Sequence, residues 1–218
     1  FTDGPDLAGS SYDEAVNGLA ALKPPTNARL KNEWFRLKDA SAGFAAWDRF
    51  DHFRALEMLK DYAPAAGNFL GPYLAALRIL ALPPKRRNDA QAPKIEPMRM
   101  LDLCNNAHRR AAQGRFDDAM ARCYRLVEWA AQWILMEKHG IDTGNLSPEI
   151  ATERAGMHPD SKGRYRIGLM KAWELIRSKH DGPAADFARN HANAMLDRIK
   201  ERNNSILAHG KNPIEEPG

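Results

Sequence analysis

Apolar side chains recur at helical spacing along almost the whole chain, and alternating strand patterns are nearly absent. Over residues 30–63 the run includes Trp34, Leu37, Phe44, Trp47, Phe50, Phe53, Leu56 and Leu59, with a break or bend expected at Gly43. Shorter helices are expected over 12–22, which Pro24 and Pro25 stop, and over 69–82, where Pro72 suits a first turn. Four more are expected over 98–113, 116–139, 165–179 and 183–204. The fold class read from this pattern is all-α.

The periodicity stops once, between Pro83 and Pro97, where Pro and charged residues replace apolar ones. This stretch reads as an exposed linker, with Lys85, Arg86 and Arg87 in a solvated loop. It divides the chain into a helical module over 12–82, a linker over 83–97 and a second module over 98–218.

In the second module, Phe116, Met120, Cys123, Val127, Ala130 and Ile134 make one apolar stripe. Trp129 and Trp133 make a second patch on the same helix. Two apolar faces mean either a central helix or one that meets another subunit. Ala188, Ala192, Met195, Ile199 and Ile206 make the stripe of the last helix. Between Ile141 and Arg164 lies a long irregular stretch, with a short helical turn expected at Ser147-Pro148-Glu149.

The chain has 218 residues and a net charge of +4, which permits an anionic partner without requiring one. No apolar run reaches membrane-span length, so no membrane partner is expected. The first residue is Phe1 and no signal pattern follows, so an excised or processed product is expected. Cys104 and Cys123 form no metal or disulfide framework and read as buried thiols in a reducing cytoplasm. His108, His139, His158, His180 and His191 have no metal-site spacing, so no metal and no cofactor are expected.

Chemistry concentrates in Glu201-Arg202-Asn203-Asn204-Ser205-Ile206-Leu207-Ala208-His209-Gly210. Met195, Arg202 and His209 are spaced by seven and share a helix face. Arg offers a permanent charge and a planar fork for phosphate, and His moves protons near neutral pH. By spacing alone the same residues also suit a helix C-terminus whose cations meet the last carbonyls.

Two further segments accompany this one. Asn105-Asn106-Ala107-His108-Arg109-Arg110 continues through Gly114-Arg115-Phe116-Asp117-Asp118-Ala119 to Ala121–Glu128, and Ala46-Trp47-Asp48-Arg49-Phe50-Asp51 lies earlier. Together they resemble HEPN ribonucleases, whose signature is an Arg and a His separated by four to six residues. "RNNSILAHG" looks closest to the HEPN part of CRISPR-associated proteins that join a CARF sensor to a HEPN effector. The resemblance covers most of residues 40–214.

The resemblance implies a HEPN-like four-helix bundle over 98–218. It implies a metal-independent endoribonuclease that cuts single-stranded RNA, the effector part of an antiviral defence protein. Arg202, Asn203 and His209 would be its catalytic residues. Residues seven apart lie roughly 10 Å apart along a helix, and the family resolves this reach by forming a homodimer with a composite cleft. Cyclic oligoadenylate would act only through a sensor domain, and no alternating β-α pattern of that kind is present in the chain.

Supporting roles fall to Glu128, Arg125 and Arg122, which follow one another at steps of three. They read mainly as an internal ion pair that holds helices together or fixes Arg202. Asn106, Arg109 and Arg110 read as a structural junction. Lys162, Arg164 and Arg166 are candidates for guiding an RNA backbone. The aromatics Trp47 and Phe50, with Phe44, Phe53 and Leu56, read as core rather than as base-stacking platforms. The alternative function is a catalytically silent helical scaffold that binds RNA or protein. Gly114 to Ala119 also resembles a tetratricopeptide turn, although no second copy occurs at its period.

Overall fold

The computed structural model describes residues 11–62, 70–82, 95–152, 158–179 and 182–203, with only the backbone described at 152, 179, 192–193, 195–196 and 198–203. Among the described residues the chain is all-α, with no strand. No helix of the described residues is long and apolar enough to cross a membrane. The chain divides into two compact units, Phe1–Asp102 and Leu103–Gly218.

In the first unit, α1 (Tyr12–Ala21) starts where Ser11 Oγ accepts from Glu14 N at 3.3 Å. α2 (Ala28–Asp48) starts where Asn27 Oδ1 accepts from Arg29 N and Leu30 N. α2 runs unbroken through Gly43, where a break was expected. The chain turns instead at Phe50, which takes a left-handed φ of 63°, and Asp51 caps α3 (His52–Leu59). A 3₁₀ turn, Lys60–Tyr62, follows, and α4 (Gly71–Leu80) carries Pro72 in its first turn. Ala46, Ala55, Leu59, Leu70, Leu74 and Leu77 form the core, with Phe44, Trp47 and Leu56 packed against it. Two side chains expected in that core lie outside it. Phe50 and Phe53 are exposed, because α2 and α3 bury only the face that carries Ala46, Ala55 and Leu59.

Gly43 serves close packing rather than a bend. A Cβ there would lie 2.7 Å from Leu59 Cγ, and Leu59 is fully buried and has no room to retreat. Overpacking costs about 1–3 kcal/mol, whereas Gly-to-Ala gains about 1 kcal/mol of helix propensity. Gly43→Ala is therefore expected to destabilise the chain by about 1 kcal/mol in urea unfolding. A rise in stability would show that Leu59 gives way freely.

α5 (Ile95–Ala112) begins three residues before the expected start, because Pro97 fits a first helical turn. The rest of the expected linker lies outside the described residues. The division between the units falls within α5, after Asp102.

In the second unit, α6 (Phe116–His139) ends at Gly140, whose φ of 63° lets Ile141 N reach Leu135 O at 3.0 Å. α7 (Pro148–Thr152) is the short turn expected after Ser147. α8 (Leu169–Lys179) starts four residues later than expected. Residues 165–167 are extended instead, with Leu146 N donating to Tyr165 O at 2.9 Å and Ile167 N to Thr143 O at 3.0 Å. α9 (Pro183–Asn203) packs on α8 and α6. Ala131 and Leu135 of α6, Trp173, Leu175 and Ile176 of α8 and Ala188 of α9 make the core.

Val127, Ala130 and Ile134 of the expected stripe pack against this core. Cys123 does not, since it lies about 120° round the helix from Leu135. Both Cys123 and Cys104, expected as buried thiols, are exposed.

Candidate functional site

α9 is 21 residues long and carries Arg202 and Asn203 in its last turn. Its first half is anchored by Ala188 in the core and by Phe187, whose ring lies 5.3 Å from that of Trp173. The side chains of Arg202 and Asn203, and the whole of His209, lie outside the described residues. So does Ile206, the last residue of the expected α9 stripe.

The three supporting residues sit on α6, which touches both α8 and α9. Arg125 Nη1 donates to Glu128 Oε2 at 2.9 Å, and the Arg125 guanidinium lies 5.6 Å from the centre of the Trp129 ring. This pair forms within one helix and at the surface, with about half of the Arg125 side chain exposed. It is not the internal, helix-bridging pair that the sequence suggested, because residues three apart on a helix already face each other.

The bridging role falls to Arg122. Its Nε donates to Asn106 Oδ1 at 2.5 Å, and its Nη1 donates to Asp118 Oδ1 at 2.6 Å and to the Asp118 carbonyl at 2.9 Å. Asn106 is fully buried and Arg110 nearly so, which places both at the α5–α6 junction that the sequence assigned to them. Arg110 Nη1 donates to Gln113 Oε1 at 2.9 Å. Burial pushes the Asp118 carboxyl up, but the hydrogen bond and charge of Arg122, with the charges of Arg115 and Arg110, outweigh it. Its pKa therefore lies below the ordinary carboxylate value.

The backbone of Lys162 and Arg164 and the side chains of Arg164 and Arg166 surround one carboxylate that sequence reasoning missed. Asp160 Oδ1 accepts from Lys162 N at 2.8 Å and Arg164 N at 3.0 Å. Its Oδ2 lies 3.2 Å from Arg164 Nη2 and 3.2 Å from Arg166 Nε. The backbone bond from Arg164 is the leading reason that the Asp160 carboxyl sits below its usual range. The loop thus gathers two guanidinium groups on one anion, with Lys162 meeting it through its backbone alone. An Asp ahead of a Gly and basic residues was the available signal, since Asp favours such local turns.

A second unforeseen group lies in the first unit. Asp102 Oδ1 accepts from Trp47 Nε1 at 2.9 Å, and Asp102 Oδ2 lies 2.8 Å from His52 Nε2. No local signal could have found it, because the partners are 50 and 55 residues from Asp102.

Residues 88–217 match the family model described as the Csm6 HEPN domain, and the match takes in Arg202, Asn203 and His209. No curated protein and no solved structure matches the chain. The matched segment spans more than half of the sequence and ends within one residue of its C-terminus. With its all-α fold, the chain belongs to the family of the Csm6 HEPN domain, a CRISPR-associated group of ribonuclease type.

Proposed function

We propose that the chain is a metal-independent endoribonuclease that cuts single-stranded RNA through the ribose 2′-hydroxyl. The observation that carries this reading is the family match through the Arg202-Asn203 pair and His209. The 2′-hydroxyl is an internal nucleophile beside the phosphorus, so neither water nor a metal has to be activated. His209 takes the 2′ proton or gives a proton to the leaving 5′ oxygen. Arg202 offsets the charge that builds on the phosphoryl oxygens. Asn203 orients the motif or bonds the phosphate. The 2′ oxygen forms a bond to phosphorus as the P–O5′ bond breaks, which yields a 2′,3′-cyclic phosphate and a free 5′-hydroxyl.

End-group analysis by mass spectrometry tests this route. Fragments are expected to carry the cyclic phosphate, at a rate that EDTA changes by less than about twofold, far below the several kcal/mol a catalytic metal contributes. Fragments with 5′-phosphates, or activity lost to EDTA and restored by a divalent ion, would mean a different mechanism.

A two-fold symmetric homodimer is part of the proposal, since it would let two copies of the motif share one cleft. Support comes from the second patch on α6, where Trp129 and Trp133 are only partly buried within the chain. Light scattering at tens of micromolar is expected to give twice the chain mass. A fully active monomer would overturn the composite cleft.

A further inference from the structure

Beyond the C-terminal end of α6 the chain lines an open cavity of about 470 Å³, bounded by His139, most of the 140–150 segment, Gly163 and Tyr165. We infer that this cavity is a subsite for one unstacked nucleobase of the RNA strand, selective for bases that carry an amino group. The inference rests on the ribonuclease reading above and adds a recognition site to it.

The volume falls inside the range of roughly 300–1,000 Å³ typical of ligand pockets. Its floor is apolar, because Ile141 and Leu146 belong to the buried core. Tyr165 supplies an aromatic wall that is itself packed partly on that core. An apolar floor and one aromatic ring, with polar groups beside them, suit a base taken out of its stack.

The polar groups suit the edge of a base. Asp142 and Asn145 line the cavity from one tight turn. Gly144 N donates to Asp142 Oδ1 at 3.0 Å, and Asn145 N donates to the Asp142 carbonyl at 3.0 Å. The turn is tied to the opposite wall by the bonds from Leu146 N to Tyr165 O and from Ile167 N to Thr143 O. The walls are therefore set before any ligand arrives, which lowers the ordering cost of binding. A carboxylate accepts from an exocyclic amino group, as on adenine, guanine or cytosine. Uracil presents an imino N–H flanked by two carbonyl oxygens, which a carboxylate repels.

The rim fixes the wider class of ligand. The segment that delivers Tyr165 also carries Lys162, Arg164 and Arg166, with over half of the Arg166 side chain exposed. Arg164 and Arg166 against the single Asp160 carboxylate leave one net positive charge on this segment, to which Lys162, bound to Asp160 only through its backbone, adds another. A phosphodiester on either side of the captured base would meet that charge. A small uncharged metabolite would make no use of it.

The test uses labelled hexanucleotides with 2′-O-methyl groups, which have no free nucleophile and stay intact during fluorescence anisotropy. Oligo-A and oligo-C are expected to bind the full chain severalfold more tightly than oligo-U. Tyr165→Ala is expected to weaken oligo-A binding about tenfold, and Tyr165→Phe to stay within about twofold. Asp142→Asn keeps an acceptor for Gly144 N and is expected to erase the preference over oligo-U. If Tyr165→Ala loses its helical circular dichroism, Asp142→Asn and Asn145→Ala decide the matter. Equal binding of all three oligonucleotides by the wild type would overturn the subsite, as would wild-type affinity and preference in the variants. Unmodified RNA run in parallel separates the two readings. Cleavage without base preference removes the subsite and leaves the nuclease, whereas base preference without cleavage keeps the subsite and removes the nuclease.

Discussion

His209→Ala is expected to lower cleavage of single-stranded RNA by about two to four orders of magnitude, the usual share of a positioned proton donor or acceptor. Helical circular dichroism should not change, because the proposed role of His209 is proton transfer rather than packing. The same RNA with a 2′-deoxyribose at the scissile position should resist the wild type, since its nucleophile is gone. Arg202→Ala should lose a comparable amount, and Arg202→Lys should recover only part, because a lysine keeps the charge without the planar fork. The pattern matters more than any single rate. Loss in both alanine variants with RNA binding intact assigns the residues to the transition state. Equal cleavage by wild type and His209→Ala at matched concentration would remove His209 from the mechanism.

Most helices of this protein were legible in the sequence because their apolar period is local. The caps at Asn27 and Asp51 are equally local, yet the periodic run over 30–63 hid the corner between α2 and α3. Apolar period alone placed α6 and α9 to within a residue. What the sequence misplaced depends on partners far along the chain. Gly43 reads as a break until Leu59 of the next helix is seen pressed against it. Tyr165 reads as the start of a helix until Leu146 pairs with its carbonyl. Phe53 has core character, but its face of α3 is exposed among the described residues. The same division holds for the chemistry. The Arg202 and His209 pattern is sequential and can be read directly. The cavity beside Tyr165 needs two segments some twenty residues apart to meet.

Asp102→Ala is expected to cost about 2 kcal/mol of stability, because the buried carboxylate serves two largely buried partners at once. Asp102 lies in the second turn of α5, Trp47 near the end of α2, and His52 at the first position of α3. The Asp102 side chain is 8% exposed and that of His52 14%. One carboxylate thus ties α5 to the corner between α2 and α3, where Phe50 makes its left-handed turn. Truncation leaves an indole N–H and an imidazole nitrogen facing a vacated site, and an orphaned buried polar group costs about 1–3 kcal/mol. Asp102→Asn retains one acceptor and places an amide donor toward the other partner, so about half of the loss should remain. A double-mutant cycle with His52→Ala separates the contact from the truncation. Coupling above about 1 kcal/mol supports a working pair, since exposed pairs give less. Urea unfolding of Asp102→Ala within about 0.5 kcal/mol of the wild type would show that water replaces the carboxylate there, as it does at ordinary surface positions.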